Sequence, residues 1–188
     1  EWSIADDSMR ILETAYIPYS VNPGNHDLAE YSSGIETSYY NHYFGTDRFA
    51  GNGYYQSSFE DGDNKNNYSI FSVSGLDFII INLQYNPQTE HINWASDLLS
   101  EYDQHRGIVV SHYVINTDGD FSVMGRAIYE GIKSNPNLFL MLCGHKAPSS
   151  GAAYRMEHRE GQQPVHIILA NYQYFPNGGD GYLRFFKF

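Results

Sequence analysis

Four consecutive residues near the start of the chain, Gly24-Asn25-His26-Asp27, are of types that carry out chemistry more often than packing. They follow a short apolar stretch, residues 17–21, that we interpret as a β-strand. An amide oxygen, an imidazole and a carboxylate are therefore expected just beyond a strand end, where open α/β sheets bind ligands. The glycine is expected to allow a sharp turn there. This combination favours a metal-assisted reaction on an anionic ester.

The same arrangement recurs after two later apolar runs. Residues 107–112 form a predicted strand that ends in His112, and residues 138–143 form another that is followed by Gly144-His145. If these strands run parallel in one sheet, their ends meet at one edge. Two imidazoles and an amide oxygen are suitable ligands for a first-row transition metal. A single histidine at a strand end is more often structural, so the metal hypothesis depends on all three ends occurring together.

The pattern around these strand ends predicts strands alternating with helices, followed by hairpins. The predicted helices are residues 3–15, 89–104 and 122–134, and the predicted strands are residues 17–21, 68–73, 77–83, 107–112, 138–143, 154–159, 165–171 and 182–188. Residues 28–66 are rich in Tyr, Ser, Gly and Asn and are expected to form a long ordered loop. This order of elements predicts an α/β fold, with two sheets packed as a β-sandwich and helices outside.

Composition narrows the class of protein. The chain has 188 residues, enough for one domain with one core. Its formal net charge of −11 is unlike the basic stripe of a nucleic-acid binder, and no apolar run is long enough for a transmembrane helix. We therefore expect neither nucleic acid nor membrane as a partner. A phosphate ester would need a local positive centre, which a bound metal supplies. Cys143 is the single cysteine, which excludes an intrachain disulfide.

These motifs resemble the later motifs of calcineurin-like metallophosphoesterases. The matching residues are Gly24-Asn25-His26-Asp27, His112 and Gly144-His145. The tail from residue 170 to residue 184 resembles a bacterial, often exported branch of the family, which implies a secreted or periplasmic location. The resemblance covers nearly all of the chain and implies one domain over residues 1–188 with α/β/β/α layers. It also implies hydrolysis of phosphate esters, as a phosphomonoesterase or phosphodiesterase, through a dinuclear site of Mn, Fe or Zn.

The resemblance also implies roles for individual residues. Asn25, His112 and His145 would bind one of the two metal ions. His26 would not be a ligand; it would lie near the scissile phosphoester and stabilise the transition state or protonate the leaving oxygen. Asp27 would orient the turn or His26 rather than bind metal.

The chain departs from the family pattern in two places. The family begins with an Asp-x-His strand and a Gly-Asp strand, which supply the ligands of the other ion and the bridging carboxylate, and this chain starts after both. The last family motif, Gly-His-x-His, reads here Gly144-His145-Lys146-Ala147, and Ala147 cannot bind metal. Lys146 is a weak candidate for contact with a substrate phosphate, with a solvated loop lysine as the alternative. One ion, or none, is therefore also compatible with the sequence.

Three explanations of the missing motifs stay open. The chain is an N-terminally truncated part of a longer protein, or it completes its sheet with another copy of itself by oligomerisation or strand exchange, or it is a shortened relative that no longer catalyses. The first hypothesis for function is metal-dependent hydrolysis of phosphate esters. The alternative is a catalytically inactive phosphoesterase-like module with a binding or assembly role.

Overall fold

A computed structural model describes residues 2–28 and 38–187 of the chain. These residues form an α/β fold built on a seven-stranded mixed sheet flanked by helices. The helices are α1 (Trp2–Thr14), α2 (Ser38–Phe44), α3 (Thr46–Phe49), α4 (Thr89–Glu101), α5 (Val123–Ile132) and α6 (Pro176–Gly179). The strands are β1 (Tyr55–Glu60), β2 (Asp63–Val73), β3 (Leu76–Leu83), β4 (Arg106–Ser111), β5 (Leu138–Cys143), β6 (Ala152–Glu157) and β7 (Val165–Ala170). No helix in this part of the chain is long and apolar enough to cross a membrane.

The strands lie in the order β1-β2-β3-β4-β5-β7-β6. The four central strands, β3, β4, β5 and β7, run parallel, whereas β1, β2 and β6 pair antiparallel with their neighbours. Helix α4 joins β3 to β4 and helix α5 joins β4 to β5, which are the crossover connections that parallel strands require. The carboxyl ends of the central strands therefore meet at one edge of the sheet. This is the condition under which the predicted strand-end residues come together.

The main hydrophobic core lies between one face of the sheet and helices α4 and α5. Ile81, Val109 and Ile167 of the central strands are fully buried there, together with Leu99 of α4 and Ile128 of α5. Each helix presents its apolar residues at helical spacing, so one stripe of each faces the sheet. Burying one such side chain contributes about 1.5–3 kcal/mol. This core fixes the strands whose ends carry the candidate site.

The opposite face of the sheet carries a smaller apolar cluster centred on Phe78, Ile108 and Leu140. The sequence predicts a second sheet packed on such a face, but all the strands of the described residues belong to one sheet. The α/β class with flanking helices is confirmed, and the two-sheet sandwich stays a prediction.

Residues 17–21 differ from their predicted strand, since they belong to no strand of the described residues. The neighbouring Asn22 anchors this segment to the sheet through its side chain. Its Nδ2 donates to the carbonyl oxygen of Leu83 at 2.7 Å and, at 3.5 Å, to that of Val110. A side-chain anchor therefore brings the segment to the carboxyl edge without a backbone ladder.

Two other predictions are wrong in the described residues. Helices α2 and α3, strand β1 and the first half of β2 lie within residues 28–66, which were expected to form one loop, and residues 29–37 of that loop lie outside the described residues. Residues 182–187 form no strand, and Phe188 lies outside the described residues.

Buried asparagines explain why hydrophobic periodicity does not predict the first half of β2. Asn82 Nδ2 donates to Asn67 Oδ1 at 2.9 Å, and Asn66 Nδ2 donates to Gln84 Oε1 at 2.9 Å. Polar side chains can be buried in a strand when their amides pair in this way. A pattern that counts only apolar residues cannot identify such a strand.

The hairpin of β2 and β3 is confirmed, and its turn has a clear physical reason. Ser74 and Gly75 both have positive φ, at 52° and 78°. Two positive φ angles are typical of a type I′ turn, whose twist matches that of the flanking strands. The other predicted helices and strands are also present, with bounds that differ by a few residues.

Candidate metal centre

Strands β4 and β5 deliver two histidines to the carboxyl edge of the sheet. His112 directly follows β4, and His145 follows β5 after one glycine. The two strand ends are tied together, because the backbone N–H of Gly144 donates to the carbonyl oxygen of His112 at 3.0 Å. The parallel pairing of the strands therefore sets the spacing of the two imidazoles.

The Gly24–Asp27 turn reaches the same edge, because Asn22 holds the preceding segment against the ends of β3 and β4. Two hydrogen bonds close the turn: the N–H of Asp27 donates to the carbonyl oxygen of Gly24 at 3.1 Å, and the N–H of Gly24 donates to Asp27 Oδ2 at 2.8 Å. The Asp27 carboxylate thus orients the turn, as the resemblance implies.

Glycine at position 24 is needed for a close approach and not for a special backbone conformation. Its φ is outside the left-handed region. A Cβ atom at this position would lie 2.9 Å from Cε1 and 3.1 Å from Nε2 of His112. The expected reason for Gly24, a sharp turn, is therefore corrected. The His112 ring packs directly on its Cα.

Three donor atoms from these segments converge. His112 Nε2 lies 3.1 Å from Asn25 Oδ1 and 3.1 Å from His145 Nδ1. Such separations suit neighbouring ligands of one ion, whose bonds to nitrogen and oxygen are about 2.0–2.2 Å long. The described residues contain no group of three or more His, Cys, Asp or Glu side chains that could hold a metal. The third donor here is the amide oxygen of Asn25, which joins the two histidines.

The backbone at His145 is strained. Its φ is 61°, and the N–H of Lys146 donates to the carbonyl oxygen of Gly144 at 2.8 Å across it. These features are typical of a γ-turn with a positive central φ, which is rare and strained. Asn171 Nδ2 donates to the carbonyl oxygen of His145 at 3.3 Å and holds this conformation from the end of β7. Strain of about 1–3 kcal/mol is retained most often at functional sites.

Both imidazoles are held in the neutral form that binds metals. Burial, followed by the charges of His145 and His26, lowers the pKa of His112 to about 4. The pKa of His145 is also lowered, mainly by burial and then by the charges of Lys146 and His26. A neutral imidazole offers a lone pair without first releasing a proton. The site is therefore ready to bind a cation at neutral pH.

Two tyrosines form an aromatic wall around the histidines, and the sequence did not single them out as site residues. The ring of Tyr113 lies 4.5 Å from that of His145, and the ring of Tyr85 lies 5.9 Å from His112 and 5.8 Å from His145. Their positions in the sequence could have identified them, because Tyr113 directly follows His112 and Tyr85 lies two residues beyond β3.

The converging donors open into a cavity of about 400 Å³. Its lining residues are Asn25, His26, His112, His145, Lys146, Ala147, Asn171, Gln173 and Tyr174. All the predicted site residues except Asp27 thus share one cavity, and Asp27 lies in the turn beneath it. The exposed imidazole of His26 lines this cavity without belonging to the converging set.

A larger cavity of about 830 Å³ lies beside α1 and α3. It is built around Arg48, whose guanidinium bonds Asp6 at 2.6 Å, Glu13 at 2.8 Å and the Tyr19 hydroxyl at 2.7 Å. Nε and Nη1 of Arg48 are paired in this way, while its buried Nη2 has no hydrogen-bond partner in the described residues, and we interpret the group as a structural ion-pair cluster. The smaller cavity is the candidate site because metal-type donors converge there.

Comparison with known proteins assigns no activity to the chain. No family model matches it. The whole chain is similar to part of the uncharacterized protein YvnB of Bacillus subtilis strain 168, with 32% identity over 192 residues. The matched region is 15% of the length of YvnB.

Proposed function

We propose that this cavity is the metal-binding part of a metal-dependent phosphoesterase of the calcineurin-like kind. The observation that carries the proposal is the convergence of Asn25 Oδ1 and His145 Nδ1 on His112 Nε2, at 3.1 Å each. Neutral imidazole and amide donors suit Mn, Fe or Zn, so the residues fit the ion that the resemblance implies. The strained turn at His145 and the close contact at Gly24 support a site that is built for a ligand.

The chain's own residues divide the chemical work. Asn25, His112 and His145 would hold the ion, which when bound polarises the phosphoryl oxygens and lowers the pKa of water. His26 lines the same cavity outside that set, where its imidazole would donate a proton to the leaving alkoxide. Tyr85 and Tyr113 cover one side of the histidines and exclude water from it.

The proposed dinuclear site also requires ligands for a second metal ion. The chain contains one Asp-x-His triplet, Asp103-Gln104-His105, but it precedes β4 and lies at the opposite edge of the sheet from the cavity. This triplet is therefore not the source of the other ligands in our proposal. The proposed second sheet of the sandwich would carry them and cover the apolar face at Phe78 and Ile108.

One observation favours the alternative, a phosphoesterase-like module without catalysis. Ala147 lines the cavity where the resemblance places a second histidine, so this position offers no donor to a metal. In that case the fold would present a cavity with one ion, or none, to a partner.

Metal analysis and a hydrolysis assay on the 188-residue protein separate the two functions. We expect Mn²⁺ to bind and to support hydrolysis of an aryl phosphate. The variant His26→Ala is expected to keep its metal and lose turnover by roughly 10²–10⁴-fold, because general acid catalysis contributes about that factor. His158→Ala is the matched control, since His158 is exposed and does not line the cavity. A protein that binds no metal and hydrolyses nothing would refute the catalytic proposal for this chain.

A further inference from the structure

The candidate cavity has an unusual local charge for such an acidic chain. The chain has 22 acidic and 11 basic residues, yet none of the described residues lining the cavity is an Asp or Glu. Lys146 is the one lysine or arginine among those residues. Lys146 is therefore the one Lys, Arg, Asp or Glu side chain among the described residues that line the cavity, in a protein whose net charge is −11.

Lys146 also differs from the lysines that serve in surface ion pairs. Lys65 pairs with Asp63 at 2.8 Å, and Lys133 pairs with Glu130. No ion pair with a described carboxylate involves Lys146. Its charge is consequently available to an anion that enters the cavity.

The position of the Lys146 ammonium is set by the aromatic wall. The Nζ atom lies 5.4 Å from the centre of the Tyr113 ring, within the range of a cation–π contact. The same ring lies 4.5 Å from the imidazole of His145. Tyr113 therefore contacts both His145 and the exposed Lys146.

The small side chain at residue 147 leaves space beside Lys146. Ala147 ends at Cβ and lines the cavity beside Lys146, so no long side chain from that position fills the space. Lys146 lines the same cavity as the three converging donors, so an anion bound there would lie beside its side chain.

We propose that Lys146 makes this site selective for phosphate monoesters over diesters, an inference that rests on the proposed function. A monoester carries about two negative charges at neutral pH, since its second pKa is near 6, whereas a diester carries one. Coulomb energy is proportional to the charge of the ligand, so one fixed cation stabilises the dianion about twice as strongly. If removing the cation weakens diester binding by a given factor, it therefore weakens monoester binding by about the square of that factor.

Anion binding to the Mn²⁺-loaded protein tests this inference without an activity assay. Methyl phosphate and dimethyl phosphate are titrated calorimetrically at pH 8 and low salt into the wild type, Lys146→Met and Lys146→Arg. We expect Lys146→Met to weaken methyl phosphate binding roughly tenfold and dimethyl phosphate binding roughly threefold, as the charge argument requires. Lys146→Arg keeps the charge and is expected to retain the wild-type preference.

Lys133→Met is the matched control, because it removes one positive charge from an exposed residue directly after α5 and leaves the cavity unchanged. Equal losses for both ligands in Lys146→Met, or losses no larger than those of Lys133→Met, would overturn the inference. A wild type that does not prefer methyl phosphate would overturn it too. These results are distinct from failure of the proposed function, which is a lack of Mn²⁺-dependent hydrolysis whatever the anion affinities are.

Discussion

The contact between Gly24 and His112 gives the sharpest test of the site geometry. In Gly24→Ala the added Cβ would lie 2.9 Å from His112 Cε1 and 3.1 Å from Nε2. Carbon atoms in contact prefer about 3.5–4.0 Å, so the overlap is about 0.6 Å or more. The His112 ring must therefore move. Its Nε2 atom moves with it, away from its position 3.1 Å from Asn25 Oδ1 and His145 Nδ1.

Two quantities follow from this displacement. Overpacking of a filled site typically costs about 1–3 kcal/mol, and we expect the free energy of unfolding to fall by that amount. Disturbing the orientation of a metal ligand typically lowers affinity about 10–100-fold, and we expect a loss of that size for Mn²⁺ or Co²⁺. Chemical denaturation in EDTA measures the first quantity, and metal titration by calorimetry measures the second.

Gly53→Ala is the matched control for this variant. A Cβ at Gly53 would meet nothing within 4 Å, and its φ is not positive. Because the same methyl group is added in open space, Gly53→Ala should change neither quantity. If Gly24→Ala bound metal as tightly as Gly53→Ala, the ring of His112 would not be a ligand held by this contact, and the proposed centre would be wrong.

Two further predictions concern the same histidines. The metal-free protein should lose stability as the pH falls below about 6.5, the ordinary pKa of histidine. Below that pH the unfolded chain binds a proton at residue 112, whereas the folded chain does not, because folding lowers the pKa of His112 to about 4. Denaturation in EDTA at pH 7.5 and pH 5 measures this, and His112→Gln should flatten the dependence. Asn171→Ala removes the hydrogen bond to the carbonyl oxygen of His145. We expect the free energy of unfolding to fall by about 1 kcal/mol and metal binding, measured by calorimetry, to weaken about tenfold. Unchanged metal affinity would show that Asn171 does not position His145.

Hydrophobic periodicity predicted the parts of the fold that bury one apolar stripe or one apolar run. Helix α4 and strands β3, β4 and β5 are of this kind, and their ends place His112 and His145 where the sequence expects them. The first half of β2 escaped prediction because amide pairs, such as that of Asn67 and Asn82, replace apolar contacts there. A rule about residue type cannot detect that two distant amides will meet.

The residues that meet at the candidate site were predictable from the sequence, but the geometry of the site was not. Residue types identified Asn25, His112 and His145, since each follows an apolar segment. The positive φ of His145 depends on a bond from Asn171, and the packing of Gly24 depends on the ring of His112. These features arise between segments that are far apart in the chain, so no local pattern contains them.

The distribution of strain in the structure argues that the centre is selected for binding. A structural histidine at the end of β5 could adopt an ordinary conformation, and a turn after residue 22 would not require a bare Cα against an imidazole. One restriction presses on the His112 ring, and the other sets the backbone of His145, whose Nδ1 lies 3.1 Å from His112 Nε2. Without a metal, Nε2 of a neutral His112 carries at most one proton, so only one of its two 3.1 Å contacts, to Asn25 Oδ1 or to His145 Nδ1, is a full hydrogen bond at a time. The proposed cation would contact all three atoms at once, and this is the reason that our proposal gives for the persistence of these costs together.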